Sequence, residues 1–359
     1  MKKGLSIIIM SVMTSFALIG CGSEDVSNDD STELNEADNE QLGESTDEKD
    51  EQMGETIEEK NERLEATIVL DWVPNTNHTG IYVAKANGYF EEEGLDITII
   101  EPALEGADQI VASGQAHFGI SSQDNVTVAR SSDIPVISLA AIIQEHTSGF
   151  ASPVEKDITS PSDFEGKTYG GWGSPQEDVM ISEVMSTVDA DSSTVENVTV
   201  GTSDFFVNTS REIDFQWIFY GWTGVEAEVR GEDINMIYLT DIDPVFSYYS
   251  PVIISSDSVV EEQPELVEKF MHAISRGYEF AIDHVDEAAD ILIEATPETD
   301  AELIRASQEW LSERYQGEAE KWGYQSTDVW STYTEWMLDN ELIEVDVPIE
   351  EAMTNQFLP

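Results

Sequence analysis

Positive charge is what this chain lacks most. Its 359 residues hold 16 Lys and Arg against 74 Asp and Glu, a formal net charge of -58. A surface so poor in cations cannot neutralise a run of phosphates, which excludes DNA or RNA as a partner. Cysteine is almost missing: Cys21 stands alone, so no intrachain disulfide and no Cys-based zinc or iron–sulfur cluster can form. The five His are scattered, HExxH does not occur, and Asp241-Ile-Asp243-Pro lacks the rest of a calcium loop. Neither a metal nor a cofactor is expected. GxSxG is absent too, as is the Lys-Ser/Thr that would make a P-loop of Gly170-Gly171-Trp172-Gly173. Long apolar runs are confined to residues 5–20. What is present, 40% hydrophobic residues and 8 Trp, is enough to build a core.

The first segment has a short cationic head, Lys2-Lys3, and an apolar run too short for a comfortable bilayer span. It ends in Leu18-Ile19-Gly20-Cys21, which resembles the bacterial lipobox, where the signal is removed ahead of a Cys whose thiol becomes lipidated. Residues 1–20 are therefore expected to be a lipoprotein signal peptide and Cys21 the lipidation site, fixing the protein to the extracytoplasmic face of the cell membrane. A cleaved secretory signal with an incidental Cys is the alternative. Residues 21–65 read as a tether. From 22 to 65 there are 18 acids and three cations with no apolar periodicity, so that stretch cannot offset its ordering entropy. Residues 66–359 still carry 56 acids against 11 cations, a charge excess that suggests a saline or alkaline habitat.

The remaining sequence alternates strands and short helices. Ala66–Trp72 is β-rich and runs into the turn Val73-Pro74-Asn75-Thr76-Asn77, and Gly80–Gly88 reads as a helix capped by Thr79 or Asn77. Strands are predicted at 95–100, 116–121 and 136–143, with helices at 107–113 and 123–131 between them. Residues 149–166 read as linker-like. A second set follows: a strand entering the glycines at 168–171, a helix over 177–188, strands at 198–200, 215–220 and 235–239, and a helix over 222–230. Tyr249–Ser255 leads back toward the first set, and the chain beyond 261 is helical in pattern, with Trp310, Trp322, Trp330 and Trp336 at packing positions. Such alternation predicts an α/β fold of two lobes with mostly parallel sheets. Lobe 1 would comprise 66–148 and 252–359, lobe 2 149–251, with the ligand cleft between them at the carboxyl ends of strands.

Three runs carry a family resemblance: Asp71-Trp72-Val-Pro-Asn75-Thr-Asn77-His78-Thr-Gly80-Ile-Tyr82 onward to Phe90, Gly171-Trp172-Gly-Ser174-Pro-Gln-Glu177, and Tyr220-Gly-Trp222-Thr-Gly-Val-Glu226-Ala. Together they resemble the NMT1/THI5-like family, and within it the thiamine-pyrimidine-precursor binding lipoproteins of ABC importers. The resemblance implies a periplasmic-binding-protein fold of the second type. It also implies a monomer that delivers a small molecule to permease subunits without chemistry, the ligand being a formylated aminomethylpyrimidine.

A flat aminopyrimidine has two ring faces and a nitrogen edge. The faces call for aromatic walls, with Trp72 on one side and Tyr220, Trp222 or Trp172 on the other. Glu226, acidic at the matching family position, would accept from the exocyclic amine and ring nitrogen together. Asn75 and Asn77 can bond amide-fashion, and Ser174 and Ser121 can reach the formyl end. His78 and Tyr82 complete the expected site. Bland roles compete: Glu226 could serve a helix macrodipole, and Asn75 and Asn77 could be turn caps. Riboflavin or another heteroaromatic is the alternative ligand, and a sulfonate is disfavoured by the scarcity of Arg and Lys. The enzyme branch of the family is disfavoured because the second-lobe glycines lack its Cys-rich motif and Gln123–Arg130 offers no Lys or His.

Overall fold

The computed structural model describes residues 63–102 and 106–359. The signal segment, Cys21 and the tether up to residue 62 lie outside the described residues. The first strand, β1 (Leu64–Val69), begins inside the range read as tether and pairs in parallel with β2 (Leu95–Ile100), Leu64 opposite Leu95. Alternation of apolar and polar residues along β2 faces one side to the core, which is why its bounds are legible. β3 (Phe118–Ser121) lies on the other side of β1, and beyond it the order is β2-β1-β3-β10-β4, with β4 at Val136–Ala141 and β10 at Val252–Ser256. β10 is antiparallel to both neighbours, so the sheet is mixed where a mostly parallel one was expected.

Between β4 and β10 the chain builds a second layer. β5 (Ser148–Pro153) is the middle of an antiparallel sheet ordered β8-β5-β9, where β8 is Gln216–Phe219 and β9 Ile234–Tyr238. The linker-like reading of 149–166 is corrected here. Its Ser-Gly-Phe-Ala-Ser-Pro run is poor in β-branched residues, yet it sits buried between two partners, and Gly149 is required because a Cβ there would lie 2.2 Å from the Ile237 carbonyl oxygen. β6 (Thr168–Gly171) pairs in parallel with β7 (Glu196–Thr199). The chain after β8 first forms a π-helical turn, Tyr220–Gly224, and only then the helix Val225–Arg230. Such single turns recur at functional sites.

The helix Pro264–Asp283 lies against Thr79–Ala86. Their approach depends on paired glycines: a Cβ on Gly80 would meet the Tyr278 ring at 2.3 Å, and one on Gly277 would meet the Gly80 carbonyl oxygen at 2.1 Å. The helix Ala301–Gln316 touches the Asn75 turn and also the π-turn with its following helix, so it belongs to both walls of the molecule. Trp322 and Trp330 are core residues, while Trp310 and Trp336 are half-buried. At the far edge, β4 is buried along its whole length. Ala141 bridges to Gly323 and Ser138 to Met353, and the Thr354 N–H donates to the Ser138 carbonyl at 2.9 Å.

Candidate functional site

The turn after β1 is held from within and from below. Asn75 is extended, its Oδ1 accepts the Asn77 N–H at 2.9 Å, and its Nδ2 donates to the Val73 carbonyl at 3.1 Å. The Asn75 N–H donates to His78 Nδ1 at 3.2 Å, which makes that ring nitrogen an acceptor. His78 Nε2 therefore carries the proton in the neutral ring and donates to Asp71 Oδ1 at 2.8 Å. Underneath, Tyr315 donates to the Thr76 carbonyl at 2.6 Å and Tyr278 to the Asn77 carbonyl at 2.7 Å. Trp72 has no such restraints and stays 37% exposed.

The opposite wall is ordered by a buried relay. Trp217 Nε1–H donates to Ser148 Oγ at 2.7 Å, and the Ser148 hydroxyl lies 2.6 Å from His146 Nε2. His146 Nδ1 faces the Tyr248 carbonyl at 2.9 Å and must donate there, leaving Nε2 as the acceptor for Ser148. Burial pushes the imidazole down to about 4, so it is neutral near pH 7. The relay sets the plane of Trp217, against which Trp172 tilts with ring centres 5.8 Å apart.

Between these walls lies a half-open cavity of about 630 Å³. Trp72 borders it on one side and Trp172, Trp217 and Trp222 on the other, with Asp71, Asp108, Asp204 and Glu226 as its carboxylates. Ser121 donates to both oxygens of Asp108, at 2.9 and 3.1 Å. Burial, only partly offset by that hydroxyl, raises the Asp108 carboxyl to about 6. Burial also raises Glu226, and its ion pair with Arg230 one helical turn on opposes the shift. Among the described residues, no group of three or more His, Cys, Asp or Glu has the arrangement of a metal centre.

Of the residues the sequence points to, Trp72, Asn75, Asn77, Ser121, Trp172, Trp222 and Glu226 border this cavity. His78 sits behind the turn, fully buried, and meets the cavity through its partners Asp71 and Asn75. Ser174 caps the helix Pro175–Ser186 and lies on a separate cavity of about 270 Å³. Tyr220 is turned toward Trp310 and Glu228, burial and then that carboxylate raising its hydroxyl. Tyr82 packs with Trp222 in a small apolar cluster around Leu292 and Ile304. Cys21 lies outside the described residues. Asp71, Asp108 and Trp217 also line the cavity, without being candidates on sequence grounds. Asp71 was within the first motif, Asp108 reads as an ordinary first-turn acid, and Trp217 reads as one more apolar residue in a strand.

Two α/β lobes around an inter-lobe cleft of this kind define the periplasmic-binding-protein type II fold. The periplasmic aliphatic sulphonate binding protein SsuA from Escherichia coli superposes with a TM-score of 0.63 at 12% identity, covering 81% of this chain and 92% of that one. The chain belongs to the NMT1/THI5-like family, whose model matches residues 75–288. It is 30% identical to a formylaminopyrimidine-binding protein of Halalkalibacterium halodurans over 80% of this chain and 89% of the relative. A riboflavin-binding protein, RibY, of Chloroflexus aurantiacus is 26% identical over 82% and 86%. A 4-amino-5-hydroxymethyl-2-methylpyrimidine phosphate synthase of Legionella pneumophila is 26% identical over 82% and 92%.

Proposed function

We propose that this protein is the extracytoplasmic solute-binding lipoprotein of an ABC importer, binding N-formyl-4-amino-5-aminomethyl-2-methylpyrimidine for salvage without catalysing a reaction. The observation that carries this reading is the gathering of Trp72, from the turn after β1, with Trp172 and Trp217 around one cavity whose charged lining is carboxylate. A planar ring rich in N–H donors suits both features. The relative from Halalkalibacterium halodurans supports the ligand class. In this proposal residues 66–148 and 252–359 form lobe 1 and residues 149–251 lobe 2. Ligand stabilises the closed pair, and the closed monomer docks on permease subunits. Cys21 holds the protein to the membrane through its lipid, and residues 22–65 keep the body at a distance.

Riboflavin is the second reading, favoured by the cavity's size, which exceeds the bulk of a single-ring ligand, and by the relative RibY. Titration with formylaminopyrimidine, thiamine and riboflavin, followed by Trp fluorescence, tests both. Quenching by formylaminopyrimidine at the lowest concentrations is expected. Quenching by riboflavin alone transfers the assignment to the second reading.

A further inference from the structure

Helix N-termini are ready-made anion sites, since their free N–H groups and dipole favour negative charge. In this molecule four of the helices that start around the cleft carry their own carboxylates, while Thr79–Ala86, behind the Asn75 turn, has none in its first turn. Ala107–Ala112 has Asp108 in its first turn, and Gln123–Ser131 has Asp124, a buried side chain whose Oδ1 has no partner. Phe205–Thr209 is capped by Asp204, which accepts the Val207 N–H at 2.8 Å, and Val225–Arg230 has Glu226.

The most complete case is Pro175–Ser186. Ahead of it the N–H groups of Trp172, Gly173 and Ser174 converge, the feature of the sequence most like a phosphate cradle. The Glu177 carboxylate fills it, accepting those N–H groups at 2.9, 2.8 and 2.8 Å and the Tyr169 hydroxyl at 2.6 Å while only 3% exposed. No Lys, Arg or His stands among the described residues lining the main cavity. Arg230, paired to two of the lining carboxylates, is engaged by Glu226 and, at 3.5 Å, by Asp204.

Resting on the proposed ligand class, we propose that the cleft is a charge filter: it admits an uncharged or protonated heterocycle and refuses the phosphate ester of the same heterocycle. Asp71 and Asp108 set the discrimination, and Glu177 closes the N–H cradle to an outside anion. A phosphate monoester brings a charge near -2 into a cavity already lined by Asp71, Asp108, Asp204 and Glu226, with no Lys, Arg or His among its described lining residues to receive it. Rejection built from repulsion discriminates where shape alone would not, because the ester and its parent share the same ring.

The test is calorimetric titration of the full chain with 4-amino-5-hydroxymethyl-2-methylpyrimidine and with its monophosphate. The phosphate is expected to bind at least roughly a hundredfold more weakly. Asp71→Asn and Asp108→Asn should each narrow that ratio by about tenfold, mainly by improving the phosphate. Asp71 is at the surface, so its variant reports even if Asp108→Asn folds poorly. Equal affinity for alcohol and phosphate overturns the filter, as does an unchanged ratio in both variants. If riboflavin binds in place of the pyrimidine, the ligand reading fails. The same ratio is then expected between riboflavin and its 5′-phosphate, and equality within that pair overturns the filter.

Discussion

The hydroxyl oxygens of Thr76 and Ser307 lie 2.5 Å apart, although 231 positions separate them in the chain. Ser307 gives its own proton to the Gly221 carbonyl, so Thr76 is the donor to Ser307. One buried serine thus ties the turn behind Trp72 to the π-turn that carries Trp222. Ser307→Ala should strand a donor on one wall and an acceptor on the other, costing about 1–3 kcal/mol of stability. Ligand affinity should fall several-fold, more than in a Ser312→Ala control. Paired melting curves and titrations check this, and wild-type values in both would deny the link.

The indoles of Trp72 and Trp217, which line the same cavity, should answer differently to truncation. Trp72 is 37% exposed and its indole makes no hydrogen bond to the described residues, so Trp72→Ala should lower the melting temperature far less than Trp217→Ala while weakening ligand by about 1 kcal/mol or more. Trp217 is 5% exposed and bonded to Ser148, so Trp217→Ala should lose about 3–5 kcal/mol of stability along with binding. Equal stability losses in the two variants would contradict this division.

Glu226→Gln replaces two carboxylate acceptors by one amide oxygen. The affinity for an aminopyrimidine should drop about tenfold, near 1.4 kcal/mol. Arg230 keeps Asp204 as a partner, so the fold should tolerate the change. An unaltered dissociation constant would take Glu226 out of the site.

Acid sensitivity should trace to His146. Its folded value is about 4 against 6.5 for a free imidazole, so its contribution is fully present above pH 6.5 and is lost as pH falls toward 4. The total is roughly 3 kcal/mol. Asp108 runs the other way: raised to about 6, it contributes below pH 3.8 and loses that contribution as pH rises through 6. Urea midpoints taken between pH 4 and 7 should show a shallower acid decline in His146→Gln and a steeper one in Asp108→Asn.

Gly277→Ala should be costly despite its small size. The added methyl would press on the Gly80 carbonyl at 2.1 Å, a backbone atom that cannot swing aside. About 1–3 kcal/mol of stability should go, and the turn at Asn75–His78 should loosen with it. Hydrogen exchange at the amides of Asn77 and His78 reads the second effect.

What the sequence discloses and what it hides follow from physical signals of unequal strength. β2 at Leu95–Ile100 and the helix Gln123–Ser131 emerge at their observed bounds because each carries its period plainly. β5 does not, since Ser148–Pro153 owes its strand state to two neighbours and not to its own propensities. β10 is invisible as an antiparallel insert because pairing direction leaves no mark on a buried run of Val and Ile. At the candidate site, the cavity-lining Trp72, Asn75 and Glu226 stand in the motif runs. Trp217 and Asp108 escaped because their meaning lies in partners distant in the chain: Ser148 for the one, Ser121 for the other.

The bridge from Met353 and the Thr354 amide to Ser138 bears on how the molecule must be handled. β4 is buried along its whole length, and residues around Met353 lie against its outer margin at Ser138. Trimming them, or prying them loose with a bulky purification handle, would uncover the Ser138 carbonyl and the β4 edge beside Val136, Ile137 and Leu139. A neighbouring copy could then zip onto it, and soluble protein would give way to fibrils.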